Sequence, residues 1–157
     1  VEQSPIERTP VDLQALFDDC VQSLAVQHPY AGDIVQADGL PVLLSDAGLL
    51  HHVLINLLGN ALKFGQTRRD LRVSVRAQRD GAFWRFTIAD NGPGFDPAQA
   101  EALFRPFSRL QNTPVNGTGL GLTVVKRVVQ RLGGEVGATA SPGIGATFWW
   151  TLPAEPT

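Results

Sequence analysis

The sequence predicts an α+β domain, a two-layer sandwich with about three long helices on one face of a mixed five-stranded sheet. Three segments carry apolar residues at helical spacing, six others read as strands, and the strands are joined mostly by hairpin-type turns. Of the 157 residues, 43% are hydrophobic and 18% charged, a balance that supports one buried core and argues against disorder. Thirteen Lys plus Arg oppose fifteen Asp plus Glu, a formal charge of −2, so the whole chain makes no electrostatic case for nucleic acid or an anionic membrane. Cys20 is the only cysteine, which excludes an internal disulfide framework and a multi-thiolate zinc site and fits a reducing, cytoplasmic setting. No apolar run approaches the roughly 20 residues of a membrane span. The first residue is Val1 rather than Met, so a fragment of a longer protein is expected.

Residues 1–10 hold Pro5 and Pro10 and read as a linker stub. Asp12 is a plausible N-cap for a helix whose buried stripe is Leu13, Leu16, Phe17, Cys20, Val21 and Leu24. Apolar runs around Ile34-Val35 and Pro41-Val42-Leu43-Leu44, separated by Asp38-Gly39, suggest a hairpin. Ser45-Asp46 opens a long helix to about Phe64. Leu71, Val73, Val75 and Ala77, then Trp84, Phe86 and Ile88, alternate with polar residues around an Asp80-Gly81 turn. Asp96-Pro97-Ala98-Gln99 begins a short helix to about Phe104. A third long helix follows Gly121 and ends at Gly133-Gly134, and two strands, about 135–140 and 146–152, close the domain near residue 153. Residues 154–157 are left as a tail.

Three constellations carry chemistry. On the 46–64 helix, at about 100° per residue, Asn56, Asn60 and Lys63 fall within about 80° of His52. Asn is a poor helix-interior residue, so two on one face ask for a reason. Amide oxygens suit Mg²⁺, and a Lys supplies a point charge for phosphate; a solvated stripe is the plain alternative. In Asp90-Asn91-Gly92-Pro93-Gly94, Asp90 continues the register of Trp84, Phe86 and Ile88 toward the buried face. A carboxylate there needs backbone donors, a cation or a ligand group such as an exocyclic amine. Gly92 and Gly94 would allow positive φ and close approach of a ligand, and an Asx-type turn accounts for the same residues. Gly117-Thr118-Gly119-Leu120-Gly121-Leu122 runs into the third long helix as a possible phosphate cradle or a plain flexible connection. It has neither the dinucleotide-binding nor the P-loop pattern.

Taken in order, His52-x-x-x-Asn56-Leu57-x-x-Asn60-Ala61-x-Lys63-Phe64, Asp90-x-Gly92-x-Gly94, Phe104-Arg105-Pro106-Phe107, Gly117-x-Gly119-Leu120-Gly121-Leu122 and Gly143-x-Gly145-Ala146-Thr147-Phe148 resemble the N, G1, F, G2 and G3 boxes of the catalytic and ATP-binding domain of bacterial sensor histidine kinases. The resemblance spans roughly residues 11–152 and implies the GHKL (Bergerat) ATP-binding fold. It implies that Asp90 accepts from the adenine amino group, that Gly92 and Gly94 shape the purine pocket and that Asn56 is the Mg²⁺ ligand. Asn60 and Lys63, followed by Phe64, would then meet the phosphates. Gly117, Gly119 and Gly121, with Thr118 and Leu120, would line the hinge of an ATP lid anchored by Phe104 and Phe107, and Thr147 would sit near the adenine.

His52 stands where many members carry Glu or Gln, and a neutral imidazole can take or orient a proton near neutral pH. The segment Leu110 to Asn116 contains no Lys or Arg, so a cation for the γ-phosphate would come from Arg105, Arg109, Lys63 or another chain. The resemblance further implies ATP and Mg²⁺ as cofactors and transfer to a His on a separate dimerisation hairpin, with a downstream response regulator as partner. This segment alone is expected to be monomeric and free of membrane contact. Three alternatives stand beside it: a GHKL-type regulatory domain or ATPase without phosphotransferase activity, an ATP-independent interaction module, and nucleic-acid binding through the six arginines between residues 68 and 85. The period-2 placement of Arg72 and Arg76 favours a solvated strand face over a phosphate-tracking patch.

Overall fold

The computed structural model describes residues 5–37, 39–66, 68–105 and 121–154. The chain begins with β1 (Thr9–Asp12), whose last residue caps α1 (Leu13–Leu24): the Asp12 carboxylate accepts from the Ala15 N–H at 3.1 Å. The short α2 (Ala31–Ile34) leads into β2 (Val35–Ala37), and β3 (Val42–Ser45) leads into α3 (Ala47–Phe64). Next come β4 (Val73–Asp80) and β5 (Phe83–Asp90), then two 3₁₀ turns at Pro97–Gln99 and Ala102–Phe104. The chain finishes with α4 (Gly121–Arg131), β6 (Val136–Ser141) and β7 (Gly145–Pro153).

Five strands form a mixed sheet in the order β2-β4-β5-β7-β6, with β2 parallel to β4 and the other pairs antiparallel. Strand alternation then sorts the side chains. Val73 and Val75 of β4, Phe86, Ile88 and Asp90 of β5, and Ala146, Phe148, Trp150 and Leu152 of β7 share one face. That face meets the helices. Leu50, Val53, Leu54, Leu57 and Leu58 of α3 and Val125 and Val129 of α4 are buried with it in one core. Phe86 stacks on Trp150 with ring centroids 5.1 Å apart. The Cys20 thiol lies within this core, where burial, with Asp19 adding to it, pushes its pKa up to about 11; it stays protonated and unreactive. Among the described residues no helix is long and apolar enough to cross a membrane.

Three expectations need correction. The linker stub was expected to reach residue 10, but Thr9 and Pro10 belong to β1 and face Ser45 and Leu44. Pro10 is tolerated because β1 is one edge of a two-stranded sheet. The expected hairpin around Asp38-Gly39 does not form: β2 joins β4 in the large sheet whereas β3 pairs with β1. Asp38 itself lies outside the described residues. The two apolar runs satisfy different partners, which local turn chemistry cannot reveal. The short helix begun at Asp96 is two separate 3₁₀ turns; the cap is real, with the Asp96 carboxylate accepting from the Ala98 N–H at 3.0 Å. The end of α4 is as expected: Gly133 takes φ 91° and the Gly133 and Gly134 N–H groups donate to Gln130 and Val129 carbonyls.

Candidate functional site

The polar stripe of α3 is held at a set depth by the helix's own buried side, so His52 is exposed while Asn56, Asn60, Lys63 and Phe64 are half-buried. Asp46 fixes the start of the helix, accepting from the Leu49 N–H at 3.1 Å and the Glu7 N–H at 3.2 Å. Asn56 uses its amide nitrogen internally, donating to the His52 carbonyl at 2.7 Å. Its oxygen is turned to α4: a methyl group added to Gly121 would lie 2.9 Å from Asn56 Oδ1. An amide oxygen with no hydrogen bond from the described residues therefore stands beside the N-terminal end of a helix, where N–H groups and the dipole favour anions.

Asp90 ends β5 on the helix-covered face, with Val73 across from it on β4 and Ala146 on β7. Its Oδ1 accepts from the Gly92 N–H at 2.8 Å, so the Asx-type turn is present. Desolvation raises the Asp90 pKa above the ordinary carboxylate value, opposed by backbone N–H groups of Gly92 and Ala146. A half-buried carboxylate with a raised pKa and no cation from the described residues against it is suited to a neutral or cationic donor from a ligand.

The glycines act differently from expectation. Gly94 takes φ 66°, whereas Gly92 does not have a positive φ. A Cβ on Gly94 would collide with the Ser141 carbonyl, and one on Gly145 with the Asp90 carbonyl. Gly143 N–H donates to the Pro93 carbonyl at 2.6 Å. The 91–95 segment and the turn after β6 are thus packed backbone to backbone, and the missing Cβ of Gly94 makes room for the Ser141 carbonyl. Thr147 is also displaced from its expected place. It pairs with Ala89 and Thr139 on the sheet face away from the helices, and the residue across from Asp90 is Ala146.

Phe104 is buried, meets Phe148 edge-on with centroids 6.4 Å apart, and its carbonyl accepts from Thr123 Oγ1 at 3.1 Å. Phe95 lies 6.1 Å from Phe148. This aromatic group ties the 3₁₀ turn to the first turn of α4. Phe107, Arg109, Gly117, Thr118, Gly119 and Leu120 lie outside the described residues. Asn91, Ala146 and Phe148 stand inside motifs marked in the sequence but without a role of their own, and Phe95 and Thr123 were not marked at all. Strand register alone would have pointed to Ala146 and Phe148; nothing local marks Phe95 or Thr123.

Among the described residues no group of three His, Cys, Asp or Glu could hold a metal. A cation here would have Asn56 Oδ1 as a protein ligand and take further oxygens from a phosphate ligand and water, a donor set that fits Mg²⁺. The arginines between residues 68 and 85 do not form one patch. Arg68 pairs with Asp70 at 2.8 Å, Arg79 lies over Trp84, and Arg85 lies over Trp149 at 4.4 Å on the other face.

The family described as histidine kinase-, DNA gyrase B-, and HSP90-like ATPase matches residues 45–156. The sensor protein TorS of Escherichia coli (strain K12) is 38% identical over 118 residues, covering 74% of this chain and 12% of that protein. The sensor histidine kinase GacS of Pseudomonas protegens is 32% identical over 159 residues, covering 94% of this chain and 17% of that protein. The chain thus spans less than a fifth of the length of either relative. Among solved structures, the mycobacterial sensor histidine kinase MprB superposes with a TM-score of 0.81 at 29% identity, covering 95% of this chain and all of that one. Full-length ShkA in complex with AMPPNP gives a TM-score of 0.81 at 31% identity over the whole of this chain and 33% of that one.

Proposed function

We propose, from the premise that the chain belongs to the family of histidine kinase-, DNA gyrase B- and HSP90-like ATPases, that it binds Mg-ATP and passes the γ-phosphoryl group to a His on a separate helical hairpin. The observation that carries this reading is the half-buried Asp90 carboxylate on the same sheet face as the helix bearing Asn56 and Lys63. The reading makes of them a base-recognising acid and a phosphate-end cation on adjoining elements.

In this reading Asp90 accepts from the exocyclic amine of adenine, and Asn60 and Lys63 meet the phosphates. Asn56 Oδ1 is the protein ligand of Mg²⁺, which supplies charge neutralisation when bound. The acceptor imidazole nitrogen attacks the γ-phosphorus, the bond to the β-phosphate oxygen breaks and ADP leaves. His52, exposed one helical turn before Asn56, orients the acceptor or receives its ring proton. The chain contributes position and charge rather than covalent chemistry. ATP binding by this family and the AMPPNP bound to ShkA support the reading. A response regulator would take the phosphoryl group onward.

The test supplies the chain with Mg-ATP and a separately made helical hairpin carrying the acceptor His. Phosphate should appear on the hairpin, and Asp90→Ala should abolish it at limiting ATP. Release of free phosphate with an unlabelled hairpin would replace the kinase reading by that of an ATPase.

A further inference from the structure

The β4–β5 ladder ends at the pair Val73 and Asp90. Beyond it the side chain of Asn91 continues the pairing: Oδ1 accepts from the Arg72 N–H at 2.6 Å, Nδ2 donates to the Asp70 carbonyl at 2.9 Å, and the Asn91 N–H donates to the Arg72 carbonyl at 3.3 Å. One residue thus ties the segment leading into β4 to the turn that holds Asp90.

The tied segment reaches the helix. Leu71, between the two anchored residues, is buried, and its methyl carbons stand 2.5 and 2.7 Å from where a Cβ on Gly65 would be. Gly65 caps the end of α3, two residues past Lys63. On its other side, the Gly65 Cα lies 3.5 Å from the position of a Cβ on Gly92, whose N–H is bonded to Asp90 Oδ1. The contacts form a closed circuit: Asn91 to 70–72, Leu71 to Gly65, Gly65 to Gly92, and Gly92 to Asp90. The carboxylate that accepts from the Gly92 N–H is thus linked by close backbone packing to the end of α3.

We propose that Asn91 is a positioning residue for nucleotide recognition, fixing the Asp90 carboxylate against the end of α3 so that the base and phosphate ends of one ligand are met at a set spacing. This rests on the reading of Asp90 as the acid that meets the adenine amine. Only the side-chain amide serves both strands at once, because it offers an acceptor and a donor in one plane. The clamp is exposed, so water compensates much of its energy on folding, and its effect falls on geometry more than on stability.

The test compares ATP with purine riboside 5′-triphosphate, which lacks the 6-amino group, by calorimetric titration of the chain and its Asn91→Ala variant. The variant should bind ATP about tenfold more weakly while its affinity for the amine-free nucleotide changes less than about twofold. Equal losses for both nucleotides, or no loss for ATP, would overturn the inference. Exchange of the Arg72 amide hydrogen in the unaltered chain gives a second readout that needs no variant. It should slow more on ATP binding than on binding the amine-free nucleotide, and equal slowing counts against the clamp. If the unaltered chain fails to prefer ATP over the amine-free nucleotide, it is the reading of Asp90 that fails, and Asn91 loses its role with it.

Discussion

Asp90 and Ala146 face each other across β5 and β7, on the side of the sheet that the helices cover. The Ala146 N–H helps stabilise the carboxylate's charge, while desolvation works against it. Ala146 supplies no hydroxyl to compete for the acid, so its remaining acceptor capacity is left to a ligand.

Asp90→Ala should lower ATP affinity about ten- to a hundredfold, the value of a hydrogen bond to a charged group. Asp90→Asn should lose affinity as well, yet its melting temperature at neutral pH should equal or exceed that of the parent, because the buried charge carries a desolvation cost. Calorimetry and thermal melts on the two variants check both halves.

Acidification should weaken ATP binding early. Accepting from an amine needs the ionised carboxylate, and the Asp90 pKa lies above its ordinary value, so affinity falls as pH drops through that raised value. For folding the sign is opposite. The native state binds the proton more tightly than the unfolded chain, so Asp90 favours the fold most below the ordinary carboxylate pKa, and that contribution is lost as pH rises through the raised one. Titrations across acidic pH should show the drop in the parent, with Asp90→Asn flat.

Gly94→Ala and Gly143→Ala both place a side chain at positive φ, 66° and 76°, but only the first also drives a methyl into the Ser141 carbonyl. The Gly143 variant should lose about 1 kcal/mol and the Gly94 variant more than about 2 kcal/mol. Urea unfolding of the two separates conformational cost from collision.

Gly121→Ala would bring a methyl to 2.9 Å from Asn56 Oδ1 and displace that oxygen. The Mg²⁺-dependent part of ATP affinity should shrink several-fold while affinity measured in chelator is kept. His52→Ala, by contrast, should leave binding intact and slow transfer to a supplied hairpin by about a hundredfold or more.

Much of this arrangement was legible in the residues. The caps at Asp12, Asp46 and Asp96, the face of α3 and the inward register of Asp90 each follow from local periodicity or capping chemistry. What escaped was set by partners distant in the chain. β2 and β3 read as one hairpin, yet they pair with β4 and β1. Thr147 was placed near the adenine by the family resemblance alone, but the register with Ala89 turns it away and presents Ala146. The close approach of the Ser141 carbonyl to Gly94 is likewise set by a turn much further along the chain. The Asn91 clamp has no sequence signature, because its partners at positions 70 and 72 are backbone atoms.

A calorimetric titration with ATP and then GTP, in Mg²⁺, tests the central claim most directly, since GTP turns a carbonyl oxygen toward the acid where ATP turns an amine. The prediction is one site that takes ATP and rejects GTP by at least about tenfold, with that preference gone in Asp90→Ala. Equal heats and affinities for the two nucleotides, or undiminished ATP affinity in the variant, would contradict it.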